Sequence, residues 1–136
     1  AREHGEATGT EINNGSVVLR ATTPSGRLLL AGDVEIGAQT DLLALGVDLT
    51  ADVLKVPHHG SRYTAIEFIE AVRPRVAVIS VGAGNRYGHP SPTTMDRLAA
   101  RGALVLRTDR DGDTAVLPGQ RGLEVMRRGS PRAPPR

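Results

Sequence analysis

The sequence predicts a single α/β domain. Short apolar strands alternate with amphipathic helices through the middle of the 136-residue chain, in the order strand, helix, strand, helix, strand. This order is typical of a sheet with helices packed on it. Hairpin patterns flank this region at both ends, so we expect the sheet to be mixed rather than purely parallel. Hydrophobic residues make up 39% of the chain, which suffices for one core.

The first predicted elements form a hairpin. Residues 15–22 contain a Val/Leu stretch, and residues 27–31 (RLLLA) have the pattern of a short buried strand. The Pro-Ser-Gly sequence at 24–26 separates them and favours a tight turn, because Pro fixes φ and Gly accepts positive φ. Residues 40–45 are predicted to form a short helix that Gly46 ends.

Two further strands and two helices follow. Residues 52–56 (DVLKV) predict a third strand, and residues 76–81 (VAVISV) predict a strand buried on both faces. Between them, apolar residues recur at helical spacing over 63–72, and Pro74 ends that helix. Ser91 is a predicted N-cap with Pro in the first turn, which starts a helix that runs to about Arg101.

The C-terminal part of the domain predicts strands only. Residues 103–107 (ALVLR) and 114–117 (TAVL) are expected to form a hairpin around the turn residues Asp111 and Gly112. Residues 123–126 are the last predicted strand.

Composition divides the chain into a domain and two flanking segments. We expect a flexible segment over 1–10, the domain over 11–126 and a disordered Arg/Pro-rich tail over 127–136. Residues 119–136 hold five arginines and one glutamate, so the formal charge of +2 for the chain leaves residues 1–118 slightly acidic. The basic character is therefore a property of the C-terminal end and does not predict a nucleic-acid-binding domain surface.

Several classes of function are excluded by what the sequence lacks. The chain has no cysteine, which excludes disulfides and Cys-ligated zinc or iron–sulfur sites. No apolar run approaches the roughly 20 residues of a membrane helix. Only three aromatic residues are present, Tyr63, Phe68 and Tyr87. With so few stacking side chains, the sequence carries no independent signature of nucleic-acid binding.

Polar residues follow three of the predicted strands. Asp33 comes directly after a buried strand and Gly32, where it fits either a turn or a ligand position. His58 and His59 follow the strand that contains Lys55, and neutral imidazole is the commonest metal ligand in proteins. Adjacent strand residues face opposite ways, so only one of these histidines points at a given site unless Pro57 redirects the loop.

The third polar loop follows the strand at 76–81. It contains Asn85, Tyr87 and His89, and it leads into the helix capped by Ser91. The polar side chains of all three loops would converge if their strands are neighbours in the sheet. The alternative is an ordinary connecting loop.

Taken together, these motifs resemble a known family. The segments LLLAGD, ADVLKVPHHGS and RPRVAVISVGAGNRYGHP, with Asn14-x-Ser16 before them and a TD…G pattern after them, occur in the order found in the C-terminal half of a metallo-β-lactamase-type domain. In particular, they resemble the domain at the end of ComEC-type competence proteins, the DNA-internalisation channels. The resemblance covers residues 11–118.

The resemblance implies a fold and a metal site. The fold would be an αββα sandwich, of which this chain carries the C-terminal half. Two divalent metal ions, zinc or manganese, would lie at one edge of the sandwich. Asp33 matches the carboxylate that bridges the two ions, and His59 matches the last histidine ligand, with His58 as the other candidate ligand. His89 matches a catalytic histidine near the substrate phosphate.

The implied reaction is metal-assisted hydrolysis of a phosphodiester, with single-stranded DNA as the partner of the parent protein. Lys55 is a further candidate catalytic residue, whereas Ser61, Asn85 and Tyr87 match family positions without an assigned role. The resemblance also implies a bacterial membrane protein as parent, with this domain outside the cytoplasm and this chain itself soluble.

One family motif is missing. The His-x-[His/Asp]-x-Asp-His loop is absent, and His4 is the only histidine before Asp33. We therefore expect the chain to be part of the domain, to bind metal weakly or not at all, and to be inactive by itself, because a catalytic zinc site usually needs three protein ligands. We also expect an uncovered sheet edge or face, against which the missing half of the domain or a second copy of the chain would pack.

Three other functions fit the same residues. The first is an extracellular phosphoesterase that acts on a small or lipid-linked substrate, and the second is a binding domain that has lost catalysis. The third is an α/β interaction module whose histidines are structural. Shared metal binding requires ligating atoms of Asp33 and His59 within about 5 Å of each other, because each would bind the ion at about 2.0–2.2 Å.

Overall fold

The structure, a computed structural model, describes residues 8–129. Its helices are α1 (Gly9–Asn14), α2 (Ile36–Ala44), α3 (Ile66–Val72), α4 (Pro92–Ala100) and the single turn α5 (Thr108–Asp111), and a 3-10 turn spans Pro57–Gly60. Its strands are β1 (Leu19–Thr23), β2 (Gly26–Leu30), β3 (Val53–Lys55), β4 (Val76–Ile79), β5 (Leu104–Arg107), β6 (Asp113–Gly119) and β7 (Gly122–Arg128). The predicted α/β class is confirmed.

The larger sheet is mixed, as the sequence predicts. Its five strands lie in the order β1-β2-β3-β4-β5. The β1–β2 hairpin is antiparallel, whereas β2, β3, β4 and β5 run parallel to one another. The connections between the parallel strands contain α2, α3 and α4, which gives the α/β alternation.

The helices cover one face of this sheet. The strand register aligns Leu29, Leu54 and Ala77 in one row, so these side chains share a face. They form one cluster with Phe68 of α3 and Leu98 of α4, all of them at most 1% exposed. Burial of this apolar surface is the main stabilising contribution to the domain.

The β6–β7 hairpin covers part of the opposite face. Val53, Val76 and Leu106 form a second cluster there, against which Val116 and Val125 of the hairpin pack. Two sheets therefore face each other, and the helices lie on the outer side of the larger one.

The predicted hairpin around Asp111 and Gly112 is wrong. β5 pairs with β4, whereas β6 pairs with β7 in the smaller sheet. The polar run after β5 forms α5 instead, because Asp111 Oδ2 accepts a hydrogen bond from the Arg107 backbone N–H (2.8 Å) and Asp109 accepts from its guanidinium. These contacts turn the chain from one sheet to the other.

The chain ends differ in part from the expected boundaries. Helix α1 begins inside the segment 1–10 that we expected to be flexible, and Thr8 and Glu11 form a capping box at its start. Strand β7 continues to Arg128, two residues into the expected tail. The rest of both segments, residues 1–7 and 130–136, lies outside the described residues.

One edge of the larger sheet lies open in the described part of the chain. Between residues 8 and 129, β1 pairs with β2 alone. The apolar side chains of Val17 and Leu19 beside this edge are 73% and 56% exposed. None of the helices within residues 8–129 is both long enough and apolar enough to cross a membrane.

Candidate functional site

Three loops with polar side chains meet at one edge of the larger sheet. They follow β2, β3 and β4, which are parallel neighbours. Because parallel strands end at the same edge, the loops that carry Asp33, His59 and His89 lie side by side there. The condition for convergence in the sequence analysis, that these strands are neighbours, is met.

The loop that carries Asp33 is fixed by Ser16. Gly32 has φ +54°, and a Cβ on it would lie 2.7 Å from the Cβ of Ser16, so only glycine fits between the two segments. The backbone N–H of Asp33 donates to the Ser16 hydroxyl (3.1 Å). Ser16 belongs to the Asn-x-Ser motif, and this contact gives that motif a structural role.

The two histidines lie in a strained turn rather than in a strand. His58 and His59 have φ angles of 44° and 53°, in the left-handed region that residues with a Cβ rarely adopt. The alternation of strand side chains therefore does not apply to them. Such strain costs about 1–2 kcal/mol per residue and is concentrated at functional sites.

Asp33 and His59 face each other. Oδ1 of Asp33 lies 3.8 Å from Nε2 of His59, within the ~5 Å that a shared ion requires. His59 Nδ1 lies 2.7 Å from the carbonyl oxygen of Ser80. A carbonyl oxygen only accepts hydrogen bonds, so Nδ1 carries a proton and Nε2 of the neutral ring has a free lone pair.

This arrangement favours a positive charge between the two side chains. The carboxylate of Asp33 and the lone pair of His59 are both acceptors, so they attract each other only through a proton or a cation. The side chains are 39% and 46% exposed, which leaves them accessible from solvent. A carboxylate oxygen and an imidazole nitrogen suit zinc or manganese.

His58 is held by a different carboxylate. Its Nδ1 is buried and lies 3.1 Å from Glu35 Oε1, without the geometry of a hydrogen bond. Glu35 is only 6% exposed and accepts a hydrogen bond from Asn13 Nδ2 (2.9 Å). The ring of His58 also lies 5.3 Å from that of His89, measured between centroids. The carboxylate beside His58 is thus that of Glu35 rather than that of Asp33.

Burial changes the pKa of two candidate catalytic residues. Burial lowers the pKa of Lys55, which the neighbouring Asp33 carboxylate opposes. Burial also lowers the pKa of His89, and His58 and His59 act in the same direction, whereas Asp33 opposes them. Both shifts favour the neutral forms of these side chains.

The His89 loop is shaped by Asn85 and Thr108. The Asn85 amide donates to the His89 carbonyl oxygen (2.8 Å) and accepts from the His89 backbone N–H (3.2 Å). Thr108 Oγ1 accepts from the backbone N–H of Val81 and donates to its carbonyl oxygen, both at 2.7 Å. These contacts account for the asparagine of the NRYGHP motif and the threonine of the TD pattern.

The donor set is incomplete in the described residues. Across residues 8–129, no group of three or more His, Cys, Asp or Glu side chains has the arrangement of a metal site. The Asp33–His59 pair fits a cation but supplies only two ligands.

Comparisons with known proteins identify relatives that cover most of this chain. It is 41% identical over 101 residues to "ComE operon protein 3" of Bacillus subtilis, which is 74% of this chain and 13% of that protein. It is 34% identical over 124 residues to "Competence protein ComA" of Neisseria gonorrhoeae, which is 90% of this chain and 18% of the relative. The homologues support a relation to ComEC-type competence proteins.

"Recombination protein 2" of Haemophilus influenzae extends this relation, with 33% identity over 84% of the chain. The chain spans less than a fifth of the length of each of these ComEC-type relatives. No family model matches the chain.

Proposed function

We propose that this chain is part of a metal-dependent phosphodiester hydrolase domain of a DNA-uptake competence protein, with the metallo-β-lactamase type of αββα sandwich. The homologues named for competence support the role in DNA uptake. Two sheets that face each other, with helices outside the larger one, support the fold.

The observation that carries this proposal is the pairing of Asp33 with His59 at the ends of neighbouring parallel strands, 3.8 Å apart. The hydrogen-bond partner of His59 leaves its Nε2 free to bind a cation. The left-handed backbone of the histidine turn is a second support, because strain of this kind clusters at functional sites.

Asp33 and His59 would hold the metal, which when bound lowers the pKa of a water molecule and polarises a phosphodiester. His89, whose pKa is lowered by burial, would orient the phosphate beside them. Lys55, at the end of β3, would interact with the carboxylate of Asp33. His58, in contact with Glu35, would position the His89 ring.

Two protein ligands are too few for a stable catalytic zinc site, which usually has three. We propose that further ligands come from a part of the domain outside residues 8–129. On this account the chain by itself binds metal weakly and does not turn over substrate.

The test is a chimera in which this chain replaces the matched segment of the Bacillus subtilis relative. Cells that express it are assayed for transformation by external DNA and for release of labelled nucleotides from that DNA. The Asp33→Ala and His59→Ala chimeras are expected to lose nucleotide release, because each substitution removes a metal ligand.

Asp96→Ala is the matched control, since Asp96 is an exposed residue of α4. It should leave both readouts unchanged. Nucleotide release that is equal in the Asp33→Ala and unmodified chimeras would contradict the proposal.

A further inference from the structure

A cleft of about 490 Å³ lies beside the candidate metal site. Its walls include His58, His89, Arg62, Tyr63 and Tyr87. His58 in the cleft wall is the neighbour of His59 in the sequence, and the centroids of the two rings are 6.3 Å apart. The cleft therefore lies directly beside the Asp33–His59 pair. A chain-like substrate bound at that pair would extend into this cleft.

The cleft contains both exposed aromatic residues of the protein. Of the three aromatic residues, Phe68 is fully buried in the core. Tyr63 and Tyr87 are 42% and 84% exposed. Tyr87 lies nearly parallel to the ring of His89, at an angle of 18° and 6.1 Å between centroids. Because Tyr87 is so exposed, the part of its ring that does not face His89 is available for stacking.

A cation lies next to these rings. The guanidinium carbon of Arg62 is 5.0 Å from the centre of the Tyr63 ring, and Arg62 Nη2 donates to the Tyr63 hydroxyl (2.8 Å). This bond uses one of the five N–H groups of the guanidinium. The described contacts hold Arg62 in place at the cleft, where it can donate to an anion.

We infer that this cleft binds single-stranded nucleic acid next to the phosphodiester held at Asp33 and His59, with a base stacked on Tyr87 and a backbone phosphate on Arg62. The inference rests on the proposed function. The expectation from composition counted stacking side chains over the whole chain, whereas two of the three aromatic residues lie in this one cleft.

The chemistry of the cleft favours this ligand. Stacking on an aromatic ring needs a base that is free of its duplex partner, which selects a single strand. A lipid chain would require aliphatic walls, whereas these walls combine histidine, tyrosine, arginine and serine side chains with Gly88 and Pro92. A small phosphate ester would contact Arg62 without using the tyrosine faces.

The test measures binding of a fluorescently labelled oligothymidylate of ~12 nucleotides to the full chain by anisotropy, in EDTA. Tyr87→Leu keeps apolar bulk but removes the aromatic face, and we expect binding at least ~5-fold weaker. Tyr87→Phe keeps the face and should bind within ~2-fold of the unmodified chain. Neither substitution changes charge, so the C-terminal arginines affect both variants equally.

Arg62 is tested through the salt dependence of the same binding. Loss of one phosphate contact in Arg62→Gln should reduce the slope of log affinity against log salt by ~0.7. Arg121→Gln removes the same charge in the β6–β7 turn, away from the cleft, and should leave the slope unchanged. Thermal unfolding of each variant checks that it folds.

Equal binding by the Tyr87→Leu, Tyr87→Phe and unmodified chains would overturn the inference. Absence of saturable binding by the unmodified chain would overturn it as well. Because metal is excluded from this assay, either outcome leaves the metal-binding test of Asp33 and His59 unaffected. Conversely, if Asp33 and His59 did not bind metal, a loss of oligothymidylate binding in Tyr87→Leu would still support the cleft as a nucleic-acid site.

Discussion

The backbone N–H of His58 donates a hydrogen bond to the carbonyl oxygen of Gly32, across 3.1 Å. This bond joins the histidine turn to the loop that carries Asp33. It fixes the position of one loop relative to the other through the backbone. The separation between Asp33 and His59 therefore does not depend on contact between their own side chains. The residues that fix these two loops are therefore as important for the site as the candidate ligands.

Gly32→Ala should destabilise the protein and disturb the site. The new Cβ would meet Ser16 at 2.7 Å, in addition to the strain of a positive φ. Gly46→Ala is the control, because Gly46 also has a positive φ of 66° but has no atom within 4 Å of an added Cβ. Chemical denaturation should show a loss for Gly32→Ala that exceeds the loss for Gly46→Ala by at least ~1 kcal/mol. Equal losses would show that Ser16 does not constrain this loop.

Gln39→Leu should lower the free energy of unfolding by about 3 kcal/mol. Gln39 is fully buried in α2, donates to the carbonyl oxygens of Val34 and Tyr63, and accepts from the backbone N–H of Ala65. Leucine would leave these three backbone groups without a partner. Thr40→Ala, at the adjacent exposed position, should change stability by less than ~0.5 kcal/mol. A leucine variant as stable as the unmodified chain would contradict this account of the α2–α3 contact.

Asp109 should contribute to loss of stability in acid. Hydrogen bonds from Arg107 hold the pKa of the Asp109 carboxyl below its usual range. A carboxyl whose pKa is lower in the folded state stabilises the fold above its unfolded pKa, and this contribution is lost as the pH falls through the folded value. Asp109→Asn should therefore flatten the fall in unfolding free energy below about pH 4.

A double-mutant cycle separates this pair from other effects of pH. Arg107→Gln, Asp109→Asn and the double variant should show a coupling at pH 7 that disappears in acid. Coupling that is the same at both pH values would mean that the ion pair is not the titrating interaction.

Much of the fold could be predicted from local sequence patterns. The β1–β2 turn, the strand that contains Lys55 and the helix that starts after Ser91 all lie where local patterns predict them, although the Ser91 side chain makes no capping hydrogen bond. These elements are determined by neighbouring residues in the chain. The prediction failed at Asp111, whose side chain accepts a hydrogen bond from the Arg107 backbone N–H and so prevents the hairpin. Secondary-structure propensities do not include such a contact.

The candidate site was predictable only in part. Asp33, His59 and His89 could be selected because each follows a strand. Glu35 and Asn13 could not, since their importance depends on a contact between residues that are 22 positions apart in the sequence. The left-handed backbone of His58 could not be predicted from the sequence either, because it depends on the hydrogen bond that joins the turn to Gly32.

Asp33 and His59 are proposed to share a metal ion. The most direct measurement is a zinc titration of the full chain, followed by the ¹⁵N resonances of the histidine rings. We expect a zinc-dependent shift at Nε2 of His59 with weak affinity. The affinity should fall at least ~10-fold in Asp33→Ala and should be unchanged in Asp96→Ala. A His59 resonance that does not respond to zinc, or responds equally in the Asp33→Ala variant, would contradict it.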